Sequence, residues 1–170
     1  MKKLFAMIAV CAICIPLVVA CGKTEEPAAF SGTVTYAFSV DGSTAPITGI
    51  TTSFNGGTRT LEVVVANSYN SFIPDALNSS ISTVGKITVT APAGTVETAM
   101  SEGVEIKNKS ELTVWDDPED VDWEVYAKIA SKDGEEWVFN AMNKTFTFYF
   151  WNNEGNLETC HVKVIVKRGA

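Results

Sequence analysis

After about residue 30, apolar and polar positions alternate along most of this chain, and the alternation stops at turn-forming residues. From Thr33 to Val40, the side chains of Val34, Tyr36, Phe38 and Val40 share one face, and Thr33, Thr35, Ala37 and Ser39 share the other. A period of two is that of a half-buried strand, and Asp41-Gly42 ends it in a turn. Ile47 to Phe54 and Thr58 to Ala66 predict a hairpin closed by Asn55-Gly56-Gly57, residues that tolerate positive φ, with Leu61, Val63 and Val65 facing inward. Asn67 to Thr83 scatters Phe72, Ile73, Leu77 and Ile81 around Pro74. It reads as a long loop with one helical turn, a length uncommon in compact domains unless it has a function.

Strands resume at Lys86 to Ala91, followed by a weaker one at Thr95 to Met100 and short ones at Val104 to Ile106 and Leu112 to Trp115. Val121 to Ile129 alternates well, placing Trp123, Val125, Ala127 and Ile129 inward and Asp122, Glu124, Tyr126 and Lys128 outward. Asp133-Gly134 turns this strand toward Glu135 to Asn140. Lys144 to Trp151 and Leu157 to Lys167 form a last hairpin, with Phe146, Phe148 and Phe150 on one strand opposite Cys160, Val162, Val164 and Val166 on the other. About ten short strands with turn signals every 8–12 residues, and no sustained helical period, predict an all-β sandwich or barrel.

The start of the chain follows a different pattern. Lys2-Lys3 precedes an apolar run from Leu4 to Val19 that only Pro16 interrupts. The run is shorter than the roughly 20 residues of a spanning helix, and it has the layout of a secretory signal. Val18-Val19-Ala20-Cys21 resembles the lipobox of bacterial lipoproteins. That resemblance implies cleavage before Cys21, acylation of its thiol and new amine, and anchoring in a membrane. Gly22 to Ala29 is polar and reads as a tether, and Lys23 with Glu25-Glu26 resembles the surface-export signal of some Gram-negative lipoproteins, interrupted by Thr24. The expected layout is a signal peptide at 1–20, a lipidated tether at 21–30 and one domain at 31–170, located at the outer membrane and facing outward.

This layout changes how charge and cysteine content are read. Loss of Lys2 and Lys3 leaves 11 basic and 20 acidic residues in the mature chain, so its formal charge goes from −7 to −9. Such a surface repels phosphate backbones, which excludes nucleic acid as a partner. Cys11 and Cys14 leave with the signal and Cys21 carries lipid, so Cys160 has no partner for an intramolecular disulfide. An exported body without disulfides is then held by its core.

The stretch from Phe146 through Asn152-Asn153-Glu154-Gly155-Asn156 to Val166 resembles the last hairpin of immunoglobulin-like and PKD-type extracellular domains. Trp123 to Phe139 is similar to hairpins of immunoglobulin-like lipoproteins in glycan-utilisation systems. These resemblances imply an immunoglobulin-like antiparallel β-sandwich, a glycan ligand and an outer-membrane uptake complex as partner. The Cys-Trp-Cys pattern of antibody domains is absent.

Candidate chemistry is sparse. His161 is the only histidine and neighbours Cys160, but adjacent residues on a strand point to opposite faces, which argues against a nucleophile–base pair. With one histidine and one remaining thiol there is no zinc site, and no glycine-rich phosphate loop or nucleophile elbow occurs. No catalytic residue, metal or cofactor is assigned. Asp116, Asp117, Glu119, Asp120 and Asp122 crowd one loop; they lack the spacing of a helix–loop–helix calcium site and read as a solvated acidic turn. The most suggestive residues are the rings of Trp115, Tyr126, Tyr149 and Trp151, all placed by alternation on outward faces. Exposed rings on a rigid sheet are flat contact surfaces suited to sugar rings. A competing expectation is that a loop covers them as a satellite core. The favoured reading is a binding module that carries out no reaction, followed by a structural or adhesive surface protein whose strand edges pair with another protein, with a small hydrolase last.

Overall fold

The computed structural model describes residues 30–39, 44, 47–69, 82–117 and 122–170. The signal, Cys21, the tether, Val40 to Gly42, most of the 67–83 loop and residues 118–121 lie outside the described residues. Within them the chain is all-β, with one short 3-10 turn at Lys109–Glu111. The strands are β1 (Thr33–Ala37), β2 (Ile50–Asn55), β3 (Thr60–Val65), β4 (Thr83–Thr90), β5 (Thr95–Glu102), β6 (Trp123–Lys128), β7 (Ala130–Asp133), β8 (Glu136–Phe139), β9 (Met142–Asn152) and β10 (Leu157–Arg168).

They form a three-stranded sheet ordered β1-β4-β6, a five-stranded sheet ordered β2-β3-β10-β9-β5, and a β7-β8 ribbon. All pairings are antiparallel except β3 with β10, which run parallel. The inward faces of the two larger sheets share one apolar layer. It joins Leu61, Val63 and Val65 of β3 and Val162 and Val164 of β10 to Ile87 and Val89 of β4 and Val125 and Ala127 of β6. Phe146, Phe148 and Phe150 of β9 complete it. The β9–β10 register sets Phe148 opposite Cys160 and Phe146 opposite Val162, as the alternation predicts.

Three details differ from expectation. Thr95–Glu102 is a full strand, pairing with the long aromatic β9. Val104 to Ile106 and Leu112 to Val114 form no strands, and the segment's one isolated β-bridge to the sheet joins Trp115 to Thr98. Its apolar residues pack onto the sheet rather than pairing in it, as described below. Trp123 to Phe139 is not one hairpin: β6 pairs with β4, and the Asp133-Gly134 turn instead joins β7 to β8, with Gly134 at φ 62°. The break falls at Ile129, whose N–H donates to Ser82 while its carbonyl accepts from Asn140.

Two glycines mark close approaches. In β4 the pairing with β6 shifts register between Thr83 and Lys86, and a Cβ on Gly85 would stand 2.8 Å from the Tyr36 ring. A Cβ on Gly32 would stand 2.3 Å from the Thr90 carbonyl oxygen and 2.4 Å from Phe30 Cζ. The first obstacle is backbone of the neighbouring strand, so relief requires moving β1 away from β4. Gly32→Ala is expected to lower unfolding free energy by about 1–3 kcal/mol, the range for overpacking. Gly56→Ala meets nothing within 4 Å and is expected to change stability by less than about 1 kcal/mol. Urea unfolding of the two variants checks this, and equal midpoints would contradict it.

Candidate functional site

The two sheets do not close over each other along the side bounded by β5 and β6. Two clefts open there. One, of about 320 Å3, lies between Tyr126 and Trp123 of β6, Met100 and Glu102 of β5, and Met142, Lys144 and Phe146 of β9. The other, of about 350 Å3, is bounded by Thr98, Trp115, Asp117, Asp122 and Trp123. Trp123 borders both, so the two clefts adjoin at this tryptophan along the groove side of the sheets.

The strands position these groups in two ways. Alternation along β6 turns Trp123 and Val125 toward the core and Glu124 and Tyr126 away from it, and the groove wraps around this edge to reach both sets. Trp115 is held by its backbone, which exchanges two hydrogen bonds of 2.8 Å with Thr98. Its side chain is thereby left 58% exposed, and Tyr126 is 43% exposed. The indole N–H of Trp123 is buried and has no hydrogen-bond partner. An unmet buried donor is uncommon, because it costs roughly 1–3 kcal/mol.

Tyr149 and Trp151 are placed elsewhere. Both do leave β9 on the face opposite the three phenylalanines, but they are 2% and 7% exposed. Segment 103–115 lies across them, with Leu112 and Val114 packed against the two rings and Ala99. The Tyr149 hydroxyl accepts from the Ile106 N–H at 2.6 Å and meets Ser101 Oγ at 3.1 Å, while Ser101 Oγ donates to the Val104 carbonyl at 2.8 Å. Lys109 sits 4.6 Å from the Trp151 ring centre and pairs with Glu97. Expected as outward contact surfaces, these rings form a second core beneath a strap. Burying two aromatic side chains removes some 300–500 Å2 from water, worth roughly 8–12 kcal/mol as an upper bound. The four rings therefore form no common platform, although Trp115 and Tyr126 border adjoining clefts.

The groove's charges are mostly paired. Lys144 pairs with Glu102 at the rim. On the outer face of β4 and β6, Lys86 Nζ donates to Glu124 Oε1 at 2.5 Å, and the Tyr126 hydroxyl donates to Glu124 Oε2. These bonds lower the Glu124 pKa, the lysine contributing most, and the bond to Glu124 raises those of Lys86 and Tyr126. Asp122 reaches Thr90 Oγ1 and the Ala91 N–H at 3.4 Å each. Among the described residues, no cluster of acidic, histidine or cysteine side chains is disposed to hold a metal ion.

Cys160 and His161 fall on opposite faces of β10. The thiol is fully buried, and burial raises its pKa to about 11. The imidazole is exposed, its Nδ1 3.1 Å from Thr147 Oγ1. Alternation placed Trp123 on the inward face, and it was not among the candidate binding residues. The clue available was an indole among the carboxylates of Asp122 and Glu124.

Two outcomes follow from these environments. At mildly alkaline pH, Cys160 is expected to resist a thiol reagent in the folded chain and react once urea unfolds it, because the thiolate is the nucleophile and burial suppresses it; rapid labelling without denaturant would contradict this. For Tyr126, the raised pKa means the phenol stays protonated in the fold above the usual phenol range. This contribution to stability is full below the unfolded pKa and fades as pH rises through the folded one. Glu124→Gln is expected to move the Tyr126 tyrosinate absorbance transition to lower pH, and an unmoved transition would contradict the assigned cause. No protein-family model, curated protein or solved structure matches the chain.

Proposed function

We propose that this chain is a lipid-anchored surface protein with an immunoglobulin-like sandwich body, and that it binds a glycan along the β5–β6 groove without transforming it. The lipobox resemblance at Val18 to Cys21 supports the anchor, and Lys23 with Glu25-Glu26 supports outward display at the outer membrane. The facing order β1-β4-β6 and β2-β3-β10-β9-β5, with an early strand parallel to the last, supports the immunoglobulin-like assignment.

One observation carries the binding reading. Trp115 and Tyr126 stand exposed along the adjoining clefts, where Trp123 holds a buried, unpartnered indole N–H, with Asp117, Asp122 and Glu124 close by. A sugar suits this lining: its apolar ring faces can lie on Trp115 and Tyr126, and its hydroxyls can add hydrogen bonds to carboxylates such as Asp122 and Glu124. In this reading the partner that receives the glycan is an outer-membrane uptake complex, and no cofactor is required.

Glycan-affinity gels test the reading. Trp115→Ala and Tyr126→Ala are each expected to weaken retardation on the bound glycan about tenfold, equivalent to about 1.4 kcal/mol, with thermal unfolding unchanged for Trp115→Ala and slightly lowered for Tyr126→Ala, which also loses the bond to Glu124. Trp151→Ala is expected to lower stability instead, because its ring is core. Mobility unchanged by Trp115→Ala and Tyr126→Ala on every glycan retained by the parent chain, or no retention of the parent on any glycan, would remove the proposal.

A further inference from the structure

Residues 30–33 are fastened at one end of the body. The Ser31 N–H donates to Glu158 Oε2 at 2.8 Å, and the Ser31 hydroxyl donates to Glu158 Oε1 at 2.9 Å. The Phe30 and Phe150 ring centres stand 5.5 Å apart, and the Arg59 guanidinium lies 5.3 Å from the Phe30 ring centre. Thr33 then pairs with Thr90. Thr90 is the last residue of β4, Phe150 stands near the close of β9, and Glu158 is the second residue of β10. Contacts to both larger sheets therefore hold this segment at one common end, beside the Asn152–Asn156 turn.

The opposite end is equally well defined. β9 starts there at Met142 and β10 finishes there at Arg168. The Arg168 guanidinium lies 4.6 Å from the ring centre of Phe139, the last residue of β8. β9 has 11 residues, which sets the two ends about 35 Å apart at some 3.4 Å per residue.

We propose that the body stands with its Phe30 end toward the bilayer and its Met142 and Arg168 end away from it, a placement that rests on the acylation of Cys21 proposed above. Reach is the first reason. Nine residues lead from Cys21 to Phe30, and a fully extended chain of that length spans about 30 Å. This is shorter than the body, so a chain fastened at residues 30–33 does not reach back along the whole of β9 to set the far end on lipid. Charge is the second reason, and it disfavours lying on a flank. A face held to anionic lipid needs a basic or an apolar patch. Without Lys2 and Lys3 the chain carries 20 acidic against 11 basic residues. On the flanks, Lys86, Lys109, Lys144 and Lys167 are each paired with a glutamate. Standing end-on leaves these flanks in water. The cleft at Trp115 then opens nearer the bilayer, since Thr98 beside it pairs with Phe150, and the cleft that reaches Met142 extends further out.

Energy transfer to a dye on lipid headgroups tests the placement. The acylated full-length protein is reconstituted into phosphatidylethanolamine–phosphatidylglycerol vesicles that carry a headgroup-linked acceptor. A donor is attached to Asn153→Cys or Ala141→Cys, exposed positions just beyond the two ends of β9. Cys160 is buried, and the unsubstituted chain gives the labelling background. Transfer is expected to be stronger from position 153 than from position 141. Glu154→Cys and Ala170→Cys, also exposed, form a second pair in which position 154 is expected to transfer more strongly. Equal transfer from the two ends of the acylated chain, or stronger transfer from positions 141 and 170, would overturn the placement and leave the anchor standing. A chain recovered from cell membranes without acyl groups would overturn the anchor and the placement together.

Discussion

The pairing of β9 with β10 is the constraint on which the other strands depend. Ten residue pairs hold these strands in register. β10 offers its other edge to β3, and β9 offers its other edge to β5. The hairpin thus forms the middle of the five-stranded sheet, and its inward face supplies Phe146, Phe148, Phe150, Val162 and Val164 to the shared core. Ordering a strand costs roughly 1–2 kcal/mol per residue in backbone entropy, so a sheet is secure where side chains are buried on both faces. From Phe146 to Trp151 every residue is buried. With the strap of residues 103–115 on one side and the opposing sheet on the other, no part of this stretch relies on a solvated face.

This double burial also explains where the groove lies. Glu97 and Lys109 pair over Trp151, and Leu112 and Val114 cover the outer rings, so the strap is fixed where it crosses the sheet. It reaches the edge of β5 at Thr98, and Trp115 is the residue delivered there. The three-stranded sheet is narrower than its partner and ends at β6. The space between the end of the strap and the β6 edge is the groove. Trp115 owes its exposure to this geometry: the residues just before it spend their apolar surface on Tyr149 and Trp151, and the chain ends its contact with the sheet there.

Much of the fold was legible because alternation is a local signal. Leu61, Val63 and Val65 face inward as their spacing requires, and the Phe148–Cys160 and Phe146–Val162 pairs follow from counting back from the Asn152–Asn156 turn. What alternation cannot show is what lies over a face. It separated Tyr149 and Trp151 from the phenylalanines but left open whether solvent or protein covered them. The cover is a segment without periodicity, tied by single contacts such as the Tyr149 hydroxyl to Ile106. A hint was present in Phe-Thr-Phe-Tyr-Phe-Trp, whose unbroken aromatic content suits a strand buried on both faces. The parallel pairing of β3 with β10 was not legible either. It joins Leu61 to Val164, residues about a hundred positions apart, and no local pattern encodes which edge of the last strand an early one will meet.

The site was half legible for the same reason. Trp115 and Tyr126 could be named because alternation places both rings on outward faces, but the cleft they border depends on where two sheets fail to meet. That failure has a physical origin in strand number. Three strands cannot cover five, and the chain places the shortfall where β5 and β6 carry charged residues and Trp115 adds a cap. The edges at β1 and β2 have none of these protections and remain uncharged.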